Sequence, residues 1–248
     1  MNKLNLITAS LAVSLLGSGC STVNNTLAEK KKSVELYRIF NIQTNADRYA
    51  VTEAASDGLG GNVNNADEQN PIPNYTEKPV MPGRYKSVNP MKQMQGQLTG
   101  FAAFAASQMG PQLKTVDCDG AIWTAKATKK ADNAFNMSFN LCMWEYQGGY
   151  HLDVYANYTK EEGGLYSAIR NTTYAIMGTP EEWAEKTVLD IVREIKSRTG
   201  AQVKFNEGYP KLNTTPWLDS GMVFNAEGYL GAPVVASNTT SNETTSAN

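Results

Sequence analysis

Between Phe139 and Tyr158 apolar and polar residues alternate on both sides of Gly148-Gly149, and this stretch limits the fold of the 248-residue chain most tightly. Alternation of period two marks a strand with one buried face, and a glycine pair between two such runs accepts the positive φ of a two-residue hairpin turn. With Gly148-Gly149 as that turn, Gln147 faces Tyr150. Phe139 then lies opposite Tyr158, Leu141 opposite Ala156, Met143 opposite Val154 and Glu145 opposite Leu152, which makes one face almost wholly apolar. The other face pairs Asn140 with Asn157, Cys142 with Tyr155, Trp144 with Asp153 and Tyr146 with His151. A one-residue slip would mix the two sets, so the pattern supports this turn.

The flanking segments read as one α+β domain. Ser33 to Gln43 is a strand by its alternation and β-branched content. Thr44 or Asn45 can cap a helix with Val51, Ala55, Leu59 and Val63 at helical spacing, and Gly58, Gly60 and Gly61 mark its end, not a nucleotide-binding loop. Residues 66–88, with Pro71, Pro73, Pro79 and Pro82, predict a long loop. Asn89-Pro90 opens a helix whose stripe is Met91, Met94, Leu98, Phe101, Ala105 and Met109, ended by Gly110-Pro111. Asp119-Gly120 predicts a tight hairpin between Leu113–Cys118 and Ala121–Thr128, which makes Asp117 and Asp119 turn carboxylates and not calcium ligands. Thr179-Pro180-Glu181-Glu182 is a capping box, Gly200 ends the helix it opens, and Ala184, Val188, Ile191, Val192 and Ile195 form its buried stripe. That helix is expected on the apolar face of the 139–158 hairpin, and Ala201 to Phe205 is expected to return as a strand.

The expected fold is therefore an antiparallel sheet meander with about three helices packed on one face. The order strand, helices, meander, helix resembles the helix-grip layout of several envelope lipoproteins, including a subunit of the barrel-assembly machinery.

The N-terminus carries an address. Lys3, the apolar run Leu4–Leu16 and the small residues Gly17-Ser18-Gly19 form a three-part secretory signal, too short to span a bilayer. Cys20 after Leu15-Leu16-Gly17-Ser18-Gly19 resembles the lipobox of bacterial lipoproteins, with Gly17 where leucine is commoner. The resemblance implies cleavage before Cys20, acylation of its thiol (a palmitate-type anchor), and membrane attachment through that lipid. Ser21 in place of aspartate resembles the outer-membrane sorting signal of Gram-negative cells. The implied location faces the periplasm, with the cell surface as the other address. The expected organisation is a signal peptide over 1–19, acylated Cys20 and tether over 20–32, one domain over 33–235, and a disordered Ser/Thr/Asn tail over 236–248. Lys30-Lys31-Lys32 is read as a solvated linker face. With Cys20 assigned to lipid, Cys118 and Cys142 remain as an even pair expected to form a disulfide in an oxidising compartment, against the alternative of free buried thiols.

Composition narrows the chemistry. Lys+Arg 22 against Asp+Glu 24, with no basic block, argues against a nucleic-acid partner. A single histidine excludes multi-histidine metal sites, so no metal and no cofactor are implied. Phosphate-loop, Cys-x-x-Cys, His-Glu-x-x-His and Ser-x-x-Lys signatures are absent, and the sequence assigns no catalytic residue. The candidate binding face is Trp144, Tyr146, His151, Asp153, Tyr155 and Asn157, where flat rings beside short polar groups suit a sugar or a peptide. This face requires exposure; the 66–88 loop or the Cys118 strand could instead cover it. The expected role is a non-enzymatic binding or assembly module with an envelope protein or glycan partner. The alternatives are a cell-wall hydrolase using Asp153 or Glu161-Glu162, and a carrier of lipid or another apolar ligand.

Overall fold

The computed structural model describes residues 30–88, 115–131, 135–162, 171, 175, 178–211, 223–225 and 227–231. The leader with Cys20, the helix expected over 90–109 and the tail 236–248 lie outside the described residues.

Strand β1 (Lys30–Gln43) is followed by helix α1 (Arg48–Gly60), β2 (Asn65–Gln69), β3 (Lys86–Val88), β4 (Thr115–Asp117), β5 (Trp123–Ala131), β6 (Phe135–Tyr146), β7 (Gly149–Glu162), helix α2 (Pro180–Thr199), β8 (Gln202–Tyr209), β9 (Val223–Phe224) and β10 (Leu230–Gly231). Six strands form one sheet in the order β2-β5-β6-β7-β1-β8, and every described pairing in it is antiparallel. The class is α+β, with two helices among the described residues. The meander holds for β5-β6-β7, but β1 enters between β7 and β8, so the first strand of the body is interior to the sheet. Its Leu36, Ile39, Phe40 and Ile42 are buried, as a strand flanked on both sides and covered on both faces requires. β1 begins at Lys30, not at Ser33, and Lys30–Lys32 continue the ladder opposite Glu162–Lys160 in place of a free linker. The edge strand β2 (NADEQ) is almost wholly exposed, and its carboxylates and amides discourage further strand pairing.

The β6–β7 hairpin keeps the expected faces but not the expected partners. Gln147-Gly148 is the turn, so Tyr146 faces Gly149, Trp144 faces His151, Cys142 faces Asp153 and Asn140 faces Tyr155. The offset from the sequence register is two residues, and an even offset leaves each side chain on its own face. Gly149 opens β7 with φ 119° where a Cβ would come 2.3 Å from the Ile42 carbonyl oxygen. Close approach of β1 therefore moves Gly149 from the turn into the strand.

α1 is capped by Asp47, whose carboxylate accepts from the N–H groups of Tyr49 and Ala50, and not by Thr44 or Asn45. Gly58 is internal to α1 and lies against the backbone of Ile191 in α2. This close contact, more than helix termination, explains a glycine there. α2 has the expected capping box: Glu182 N–H donates to Thr179 Oγ1 at 3.2 Å, Thr179 N–H donates to Glu182 Oε2 at 2.7 Å, and Gly200 ends the helix in the left-handed conformation. Its Ala184, Val188, Ile191, Val192 and Ile195 share one core with Val51, Ala55 and Leu59 of α1 and with Leu141, Met143, Leu152 and Val154 of the hairpin.

A charged pair lies within this helix-facing layer. Arg38 of β1 and Glu185 of α2 pair in a bidentate manner, with Nε donating to Oε2 at 3.2 Å, and Arg38 Nη1 donates to the carbonyls of Tyr37 and Pro210. Both residues are buried.

Candidate functional site

The face opposite the helices carries the aromatic and polar residues singled out above, brought together by β6 and β7 and extended by Tyr37 and Asn41 of β1, which face Tyr155 and His151 across the ladder. Tyr146 donates through its hydroxyl to Asn41 Oδ1 at 2.6 Å, and Ser138 donates to Asn157 Oδ1 at 2.7 Å. His151 Nε2 lies 3.1 Å from Asp153 Oδ1. Asp153 itself is 1% exposed.

This face is covered. β3 and β4 form a separate two-stranded sheet, and the chain leading into it runs over the hairpin. Gly83 sits on the indole of Trp144, where a Cβ would meet ring atoms at 2.4 Å. Tyr85 N–H donates to Asp153 Oδ2 at 3.0 Å, and the Tyr85 ring leans on Tyr155 and Tyr37 with centroids 5.9 and 6.1 Å away. Trp144 Nε1–H donates to the Asp119 carbonyl at 2.9 Å. Gln147 N–H donates to the Pro79 carbonyl, and Lys78 pairs with Glu145 at 2.7 Å. Trp144 and Tyr155 are each 3% exposed, and with Val116, Ala121 and Cys142 they form a small second core distinct from the main one. Of the two readings the sequence left open, burial of Trp144 and Tyr155 favours the covered face over the exposed one. The rings pack against the chain's own covering layer, which bonds Trp144 Nε1 and Asp153 Oδ2.

Cys118 and Cys142 are joined by the expected disulfide, with Cα atoms 5.6 Å apart. The bond explains a second correction. Ala121 N–H donates to the Cys118 carbonyl at 3.0 Å and Gly120 has φ 72°, so the Asp119-Gly120 turn forms. The strands on either side of it do not pair with each other: β4 pairs with β3, while β5 pairs with β6 and β2. Cys118 is held over β6 by its sulfur, which carries the incoming strand onto the covering layer.

Burial also sets the protonation of the tyrosines. Removal from water, reinforced by the neighbouring Tyr37 and Asp153, pushes the Tyr85 phenol up to about 12. Tyr155 is raised by burial and then by Glu35, and Tyr158 on the opposite face by burial and then by Glu181. These hydroxyls therefore stay neutral at physiological pH.

Tyr37, Gly83 and Tyr85 belong to this face and escaped the sequence reading. Tyr37 was legible in principle, because it alternates out of phase with Leu36 and Phe40; Gly83 and Tyr85 carry no periodic signal. Among the described residues no group of three His, Cys, Asp or Glu side chains could hold a metal ion, and no helix is long and apolar enough to cross a membrane. The Glu161 and Glu162 side chains lie outside the described residues, so Asp153 is the one hydrolase candidate that the structure places, and it lies beneath Tyr85. Around the covering layer an open cavity of about 260 Å³ is lined by Asp67, Asp117, Cys118, Asp119, Thr124 and Lys126.

These features define an α+β domain with a double-faced antiparallel sheet. No protein-family model matches the chain, and a search of curated proteins finds no relative.

Proposed function

We propose that the protein is an outer-membrane lipoprotein of a Gram-negative envelope, anchored through Cys20, whose periplasmic domain is a non-enzymatic binding or assembly module. The observation that carries this reading is the lipobox-like run Leu15–Cys20 after a short apolar segment. Two features support it. β1 begins at Lys30, which leaves a short polar stretch between the acylated cysteine and the sheet. The Cys118–Cys142 bridge suits an oxidising compartment. The strand, helix, meander, helix order fits a helix-grip-like layout. A hydrolase built on Asp153 would need an open cleft where Gly83 and Tyr85 now lie.

The test is the lipid. Wild-type protein expressed in a Gram-negative host should incorporate labelled palmitate, partition into detergent and fractionate with outer membrane. Cys20→Ser should do none of these while remaining folded by circular dichroism. Equal membrane association of the two proteins would overturn the anchor.

A further inference from the structure

The disulfide is asymmetric in its surroundings. Cys142 is fully buried beneath the covering layer, whereas Cys118 is half-buried and lines the open 260 Å³ cavity. Among the described residues the covering layer has no other covalent cross-link to the main sheet, and its remaining contacts are non-covalent. β3 and β4 pair with each other over three residues and with no strand of the main sheet. Among the described residues the layer is joined to the hairpin by the Tyr85–Asp153, Trp144–Asp119, Gln147–Pro79, Gln147–Lys78 and Tyr75–Glu145 hydrogen bonds, the Tyr85–Tyr155 ring contact and the Lys78–Glu145 pair, and to β8 by the exposed Arg84–Glu207 pair. What it covers is the small second core, separate from the core shared by the sheet and the two helices. A segment held by one covalent bond over a minor core can open while the main core stays intact.

We infer that the Cys118–Cys142 bridge is a redox-addressable latch: a dithiol entering the cavity reduces it at Cys118, the covering layer is released, and the Trp144–Tyr155–Asp153 face is uncovered. The inference concerns the domain itself and does not depend on the lipid anchor. A thiolate of the dithiol attacks Cys118 Sγ, forming a mixed disulfide and expelling Cys142 as thiolate, which takes up a proton. The second thiol of the reductant then attacks its own mixed-disulfide sulfur and expels the Cys118 thiolate, which is protonated in turn. The protein gains two electrons and two protons, and the dithiol leaves as its disulfide. Asp67, Asp117 and Asp119 face the cavity against Lys126 alone among its lining cations. Their field repels anionic thiols, so the fitting reductant is neutral or cationic.

The experiment uses the full chain, with peptide mapping to distinguish Cys118 and Cys142 from Cys20. Cysteamine, 2-mercaptoethanol and mercaptoethanesulfonate are compared per thiolate, followed by full reduction with dithiothreitol and hydrogen exchange. The expected result is a mixed disulfide on Cys118, formed fastest by cysteamine and slowest by the sulfonate, with that order flattened in Asp117→Asn/Asp119→Asn. After reduction, exchange should rise in 79–88 and 115–121 while 152–156 and 188–195 stay protected. Cys118→Ser/Cys142→Ser should show the same exchange pattern without any reductant. Adducts on Cys142, reduction no faster than global unfolding, exchange rising across the whole sheet, or no change in the covering layer would each overturn the latch.

Discussion

Gly58 of α1 meets Ile191 of α2 backbone to backbone: a Cβ on Gly58 would lie 2.6 Å from Ile191 Cα and 2.9 Å from the Asp190 carbonyl oxygen. Neither atom can rotate away, so the approach of the two helices depends on the absent side chain. In an unobstructed helix Gly→Ala gains about 1 kcal/mol. At Gly58 the sign should reverse, with Gly58→Ala costing about 1–3 kcal/mol as overpacking does. Gly60→Ala is the control, since nothing lies within 4 Å of its Cβ position. Urea unfolding of both variants checks the prediction; equal effects would place the helices further apart than described.

The Arg38–Glu185 pair should behave as buried charges do. Removing one partner leaves the other desolvated, so Arg38→Ala or Glu185→Ala should lose about 3–5 kcal/mol. Replacing both by apolar residues of similar volume, Arg38→Met with Glu185→Leu, should recover most of that loss. Chemical denaturation of the three variants reads both effects. A double variant as unstable as the singles would mean that the Arg38 bonds to the Tyr37 and Pro210 carbonyls, not the ion pair, set the cost.

Alkaline stability should report on the covering layer. The Tyr85 phenol is pushed up to about 12 in the folded chain from an ordinary value of 10.0, so the unfolded state loses its proton first. Its contribution is full below pH 10, falls as pH rises from 10 to 12, and is gone above that. Tyr155 and Tyr158, also raised by burial, add to the same trend. Melting temperature should therefore fall through this window, and less steeply in Tyr85→Phe. Identical slopes for the two proteins would remove Tyr85 from the account.

The hairpin register can be tested at one residue. Gly149 combines φ 119° with contact against the Ile42 carbonyl, whereas Gly120 has φ 72° with open space around its Cβ position. Gly149→Ala carries both backbone strain and a clash with β1, and Gly120→Ala carries strain alone. The expected order of melting temperatures is wild type, then Gly120→Ala, then Gly149→Ala. The reverse order would be inconsistent with Gly149 lying inside β7.

The division of residues 139–158 into two faces, the capping box at Thr179–Glu182, the terminal Gly200 and the Cys118–Cys142 bond were all legible in the sequence. Each is a local or short-range signal: a period of two, hydrogen bonds within one helical turn, a left-handed glycine, an even pair of thiols. The faces survived even though the turn moved by one residue and the register by two, because side-chain parity does not depend on which even offset the strands choose. The insertion of β1 between β7 and β8, the pairing of β4 with β3, and the role of Gly58 were not legible. They depend on which distant backbones meet, and several partners satisfy the same alternation. The fate of the aromatic face was decided in the same way. Its residue types suit a ligand and a covering layer equally, since rings and short polar groups need contact area and hydrogen bonds from any source. Tertiary structure chose the source when the disulfide drew Cys118 over β6 and set Gly83 and Tyr85 against Trp144 and Asp153.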